Sequence, residues 1–488
     1  MKNLFFTLVA LLFASTAAAQ QEVFSIVTSG TKDKLFAETM IPLGEMDSSL
    51  PQITIDPKTT FQSMDGFGAA VTGSSCYNLL KMTPEDRKQV LTETFCPETG
   101  FGYSYIRISI GCSDFSLSEF TCCDEPGIEN FAIHEEDHEY LIPILKEILA
   151  INPKLKIMAS PWTCPIWMKV NNLEELKPFA SWTSGQLNPE YYQDYATYFV
   201  KYIQAMKELG IELTSITIQN EPLNRGNSAS LFMTWQEQKE FIKTALGPKM
   251  KEAGLTTEII VFDHNYNYDR QKPDCRDQVG YPLHIYEDPE AAQYVVGAAY
   301  HAYGGRVTEM QRIHDAYPTM NLYFTEMSIG EWNYSFDGDL MWSMREIGLG
   351  TINRYCKAVI VWNFMLDDKH KPFRPGGCGT CMGAIDINPN DYKTLTKKSH
   401  YYVIGHLSKV IAPGALRIES KSTIPAATAQ QNAVYFSAFV NPDKSLSLVV
   451  LNESAETVRS NVNDGDRNFT IEIPAKSIGS YKWASSSE

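Results

Sequence analysis

The 488-residue chain is short of positive charge: 42 Lys and Arg stand against 58 Asp and Glu, a formal net charge of −16. That deficit argues against nucleic acid or an anionic membrane as its main partner. Long apolar runs are scarce as well. The one notable run opens the chain, "MKNLFFTLVALLFASTAAAQ", and is too short to span a bilayer comfortably. Lys2, the apolar stretch Leu4 to Ala14 and the small residues Ala17-Ala18-Ala19 predict a signal peptide over residues 1–19, cut before Gln20, and hence a periplasmic or secreted protein. No cysteine follows that cut, so a lipid anchor there has no support. No later segment is long and apolar enough for a transmembrane helix. Internal repeats, low-complexity tracts and Pro/Ser-rich linkers are also missing, which predicts parts packed directly on one another.

Several chemical signatures are lacking too. No G-x-G-x-x-G or P-loop follows the early apolar runs, which disfavours a doubly wound nucleotide-binding sheet. There is no G-x-S-x-G and no H-E-x-x-H. Ten cysteines permit disulfides after export, but their spacing fixes no connectivity. Cys378-Gly-Thr-Cys381 is a lone C-x-x-C in a Gly-rich loop, without the second pair of ligands that zinc requires. A local disulfide or buried thiols suit it better than metal or redox chemistry. Cys122-Cys123 has no reading.

What is present is a core-forming composition, 44% hydrophobic and 20% charged, with 12% aromatic residues. Eight short apolar runs predict strands: 65–71, 103–111, 156–162, 215–222, 258–265, 297–303, 322–328 and 358–366. Helical stretches lie between several of them. Thr83 and Pro84 make a cap and first turn, and so do Asn188 and Pro189. Tyr192, Tyr195, Phe199, Tyr202 and Met206 recur at helical spacing and form a core face. Eight strands alternating with helices predict a (β/α)8 barrel over residues 65–404. The tail, 405–488, reads as antiparallel strands, with a turn at Asn441-Pro442-Asp443, and residues 20–64 read similarly. The two ends together predict a β-sandwich beside the barrel.

Such a barrel builds its site at the C-terminal ends of its strands. There the sequence puts Arg107, Trp162, Asn220-Glu221, Asp263-His264-Asn265, His301, Tyr303, Thr325-Glu326 and Trp362-Asn363. Two carboxylates on the fourth and seventh strands, with amide, imidazole and aromatic neighbours, are what glycosidic cleavage needs. One protonates the leaving oxygen, and the other attacks the anomeric carbon or activates water. Each also has a plainer reading: a barrel salt bridge for Glu221 or Glu326, a buried ion pair for Arg107, a satisfied core imidazole for His301, packing for Trp362. Glu331 rivals Glu326 but lies in the loop beyond the strand. An inactive carbohydrate-binding protein stays open as a second class.

The blocks "FQSMDGFGAAVT", "YSYIRISIGCSDFS", "ASPWTCPIWMKVN", "TIQNEPLN", "YFTEMSIGEW" and "YYVIGHLSKVIAPGALRI" span nearly the whole mature chain. In that order they resemble glycoside hydrolase family 30, the glucosylceramidase-like retaining enzymes. The resemblance implies a barrel with a side sandwich from both termini, and neither cofactor nor metal. It implies Glu221 as general acid/base and Glu326 as nucleophile. It implies Asn220 on the sugar 2-hydroxyl and Arg107 holding Glu326 ionised. Trp162, Tyr303 and Trp362 would line the glucose subsite, with His301 close to the acid/base. Arg107 would lower the pKa of Glu326, and an apolar setting would raise that of Glu221. In this resemblance, Gly73 stands where an Asp binds sugar hydroxyls, so a carboxylate is expected to be missing from the site. The implied partner is a carbohydrate. Endo-β-1,6-glucanase action is favoured, ahead of glucosylceramidase and then β-xylosidase or xylanase.

Overall fold

The computed structural model describes residues 22–266, 277–425 and 434–485. The expected leader, 1–19, and Cys275 lie outside them.

All eight expected strands form, and they close into a barrel. They are β1 (Gly66–Ala70), β2 (Tyr105–Ile110), β3 (Lys156–Pro161), β4 (Ser215–Thr217), β5 (Glu258–Asn265), β6 (Val295–His301), β7 (Asn321–Glu326) and β8 (Cys356–Asn363). Each pairs in parallel with its neighbours in chain order, and β8 closes on β1. Strands buried on both faces read as near-continuous apolar runs, which is why they were visible. The ring is filled by Tyr105, Met158, Ile260, Ala299, Tyr323, Ala358 and Ile360. It is therefore a packed core with a site only at its mouth.

The helices follow their local signals. Thr83 Oγ1 accepts from Asp86 N at the head of Pro84–Phe95. Asn188 caps a 3-10 turn that leads into Tyr192–Glu208, whose tyrosines are buried as expected. The helix that starts at Trp235 is interrupted by a π-turn at Ile242–Leu246, just before Pro248, which cannot donate to the helical ladder.

The side sheet has nine strands, in the spatial order Ala37–Pro42, Glu22–Ser29, Ser477–Trp483, Leu446–Asn452, Val434–Val440, Leu416–Ser422, Gln52–Ser63, Val458–Asn463, Asn468–Ile473. Both chain ends contribute, and the turn at Asn441-Pro442-Asp443 joins two of the strands as read. The C-terminal β-structure starts at Leu416 rather than near 405. Residues Ser399–Val410 form a helix buried almost all round between barrel and sheet, so it lacks the polar face that would mark a surface helix in sequence. Among the described residues no helix is long and apolar enough to cross a membrane.

Candidate active site

The site grows out of irregular backbone at the strand ends. Chain 215–222 was expected to be one strand, but the ladder stops at Thr217. Glu221 then takes φ 45°, and its N–H donates to Asp263 O at 2.9 Å. In β5 the pairing register slips between Phe262 and His264, with φ 71° at Phe262 and 65° at Asp263. Positive φ at non-glycine residues is costly, and bulges of this kind re-aim side chains. Here they turn Asp263 inward beneath Glu221.

Arg107 is the centre of the floor and is fully buried. Its Nη1 donates to Glu326 Oε2 at 2.6 Å. Its Nη2 donates to Asn220 Oδ1 at 2.8 Å and Asp263 Oδ2 at 2.7 Å, and its Nε to Ser160 Oγ at 3.1 Å. The guanidinium also lies over Trp162, 4.9 Å from the ring centroid, and near Trp362 at 5.7 Å. Those two indoles stack 5.3 Å apart. Because Arg107 occupies Asn220 Oδ1, the orientation of that amide is set, and its Nδ2 is left to donate.

His301 bridges three carboxylates. Its Nδ1 is 3.2 Å from Glu221 Oε1 and 4.0 Å from Glu326 Oε1, and its Nε2 is 3.0 Å from Asp263 Oδ1. Asn224 and Asn227 donate to Glu221 Oε2 at 2.8 and 2.9 Å, and Tyr303 OH donates to Glu326 Oε1 at 3.1 Å. Carboxylate oxygens of Glu221 and Glu326 and a nitrogen of His301 all lie within 4.8 Å of one another. Every residue expected at the site is brought together: Arg107, Trp162, Asn220, Glu221, His301, Tyr303, Glu326 and Trp362. Glu331 is not among them; it is exposed and pairs with His370 Nε2 at 3.0 Å.

The charge pattern differs from expectation. Burial pushes Glu221 up, but the His301 hydrogen bond and the charges of His264 and His301 outweigh it and hold it at about 2. Burial also raises Glu326; His301 and Arg107 oppose that without overcoming it, and the charge of Glu221 adds to it. His301 is lifted to about 9: burial lowers it, but Glu326, Asp263 and Glu221 more than compensate. The anticipated order, Glu221 high and Glu326 low, is therefore reversed in the free protein. The reason is the imidazolium against Glu221, which outweighs the apolar walls on which the expectation rested.

Two residues carried no expected role. Asp263, fully buried, accepts from Arg107 and Thr217 on one oxygen and from His301 and Thr325 on the other. Burial opposes its charge, but Arg107 and His301 hold it well below the usual carboxylate range. Asp114 lies in "GCSDFS", directly after β2. Desolvation and then the charges of Glu326 and Glu221 push it up to about 8. Gly73 packs against the same loop. A Cβ there would lie 3.6 Å from Phe115 O and Ser116 Cα, on the loop that carries Asp114. An acidic residue straight after the strand that carries Arg107 was the available signal.

Residues 64–411 match the glycosyl hydrolase family 30 TIM-barrel domain, and 414–481 match that family's β-sandwich domain. The structure of the endo-beta1,6-glucanase BT3312 superposes with a TM-score of 0.90 at 54% identity, over 95% of this chain and 100% of that one. Endo-1,6-beta-D-glucanase neg1 of Aspergillus fumigatus is 27% identical over 88% of this chain and 87% of its own. Lysosomal acid glucosylceramidase of Mus musculus is 28% identical over 88% and 83%. With its barrel and its sandwich both matched, this chain belongs to glycosyl hydrolase family 30.

Proposed function

We propose that the protein is an exported endo-β-1,6-glucanase that works by double displacement. The observation that carries the stereochemistry is the approach of Glu221 and Glu326, whose oxygens come within 4.8 Å. Retaining enzymes hold their two carboxyls about 5–5.5 Å apart, whereas inverting ones leave about 6.5–9.5 Å for a water. Likeness to two endo-1,6-glucanases supports the linkage. The leader-like opening of the sequence supports export.

Glu326 attacks the anomeric carbon, with Arg107 and Tyr303 fixing its two oxygens. Glu221 delivers a proton to the leaving oxygen. That proton rests on His301 in the free protein and passes along the Nδ1 contact to Glu221 as the glycosidic bond lengthens. In the second half, water attacks the glycosyl ester. Glu221 takes its proton, His301 is recharged, and Glu326 leaves as a carboxylate. Asn220 Nδ2 is free to donate to the 2-hydroxyl, a contact that strengthens in the transition state.

The test is a product profile on β-1,6-glucan, laminarin, xylan and glucosylceramide, with the anomer of the first product followed by NMR. A ladder of 6-linked oligomers released as β-anomers is expected. Glucose from glucosylceramide alone would move the substrate to the lipid, and α-anomers would end the double-displacement reading.

A further inference from the structure

Two features of the barrel mouth are not used by the reaction: Trp332 and the Cys378–Cys381 disulfide. Trp332 follows β7 on the loop that leaves Glu326, and it is 54% exposed while every other tryptophan is buried or half-buried. It is not a loose surface side chain. Its ring folds back on Gly330, where a Cβ would collide with it, so only glycine permits the pose. The loop is also tied to a second one. Gly330 bridges to Cys381, Glu331 N donates to Thr380 O at 2.9 Å, and Met382 N donates to Ile329 O at 2.8 Å. The disulfide closes that second loop. Its other end is tied to the loop after β2: Arg374 N donates to Asp114 O at 3.0 Å, and the buried Arg374 guanidinium pairs with Glu119. Cys381 packs in the same cluster as Trp162 and Trp362.

We propose that Trp332 is a stacking platform for a glucosyl unit adjacent to the one being cleaved, and that the disulfide-closed loop fixes its distance from the catalytic carboxylates. The proposal rests on the polysaccharide reading above. A pyranose has an apolar C–H face ringed by hydroxyls, so a flat indole can cover the face while the hydroxyls keep their water. An indole held rigidly beforehand loses little freedom on binding. A substrate with only one sugar would not extend to it.

Trp332→Ala, Trp332→Phe and the double variant Cys378→Ser/Cys381→Ser are to be assayed on β-1,6-glucan and on an aryl β-glucoside. For Trp332→Ala the ratio of kcat/KM on polymer to that on aryl glucoside should fall tenfold or more, chiefly through KM, with a changed oligomer ladder. Trp332→Phe should recover part of the ratio, and the double cysteine variant should lower it by a smaller factor. An unchanged ratio, or equal losses on both substrates, overturns the proposal. A wild-type enzyme that cleaves the aryl glucoside but not the polymer overturns the β-1,6-glucan reading and this proposal with it. That result is told apart because no variant is needed to see it.

Discussion

At the scale of single residues, the chemistry turns on how few protons five buried groups share. Three carboxylates, Glu221, Asp263 and Glu326, face one guanidinium and one imidazole. Glu326→Gln removes the nucleophile and should lower turnover by at least about 10³-fold, while a binding assay still registers glucan. Glu221→Ala should cost about 10²–10⁴-fold on natural linkages and far less in the first step on aryl glycosides with very good leaving groups, which need little protonation. Equal first-step losses on both would argue against an acid role. Asp263 touches no substrate in this scheme, yet it holds the Nε2 side of His301 and the Nη2 side of Arg107. Asp263→Asn keeps the shape and removes the charge. Asp263 helps lift His301 to about 9, so its loss should let His301 give up its proton at lower pH. The alkaline limb of kcat/KM should therefore lie closer to neutrality than the wild type's in the pH–rate profile. A limb that stays in place would show that Asp263 does not tune the imidazole. Losing one partner of a buried pair costs about 3–5 kcal/mol, so the melting temperature should fall as well.

At the scale of elements, the sequence was legible wherever burial dictates pattern, and opaque wherever pairing does. β5 matched its expected span to the residue, because eight consecutive positions are buried or nearly so. β4 did not. "SITIQNEP" has the apolar look of a full strand, but the chain leaves the ladder after Thr217, when Asn220 N bonds Pro161 O and Glu221 N bonds Asp263 O. Those partners lie far off in sequence. The bulge that turns Asp263 inward is likewise a matter of register between β5 and β6, which no local signal encodes. Glu221 and Glu326 could be found because a carboxylate ending an apolar strand is conspicuous. Asp114 could not be placed in the same way, since it stands on a loop whose course is set by packing against Gly73 and Arg374. The loop after β4 carries a prediction of its own. Asn224 and Asn227 both donate to Glu221 Oε2. A hydrogen bond to a charged group is worth about 1.5–3 kcal/mol. Asn224→Ala should therefore lower kcat/KM on a 6-linked disaccharide about tenfold or more, with a smaller loss in the first step on an activated aryl glycoside. A uniform loss would assign the asparagine to folding of the loop instead.

At the scale of the whole molecule, the barrel and the sandwich are held as one body by buried groups rather than by a linker. The helix Ser399–Val410 lies between them, and His406 on it bonds Ser480 Oγ through Nδ1 and Thr28 Oγ1 through Nε2, each at 2.8 Å. One imidazole thus joins the barrel to strands from both chain ends. Burial alone pushes His406 down to about 3, so in the folded protein it is neutral at any working pH. In the unfolded chain it binds a proton at about 6.5. Between those two values the unfolded state holds the extra proton, so stability falls as pH drops from about 6.5 toward 3. Buried His400, also pushed down to about 3, acts in the same direction. His406→Gln can still offer one donor and one acceptor to Ser480 and Thr28, but it cannot titrate. Its melting temperature should lie below that of the wild type at pH 7, because the amide fits the site less well. Its decline between pH 7 and pH 4 should be shallower, while kcat/KM on an aryl glucoside stays as it was. Melting curves recorded across that range decide the matter: parallel declines in the two proteins would mean that the buried imidazole is not where the acid sensitivity of this two-part fold resides.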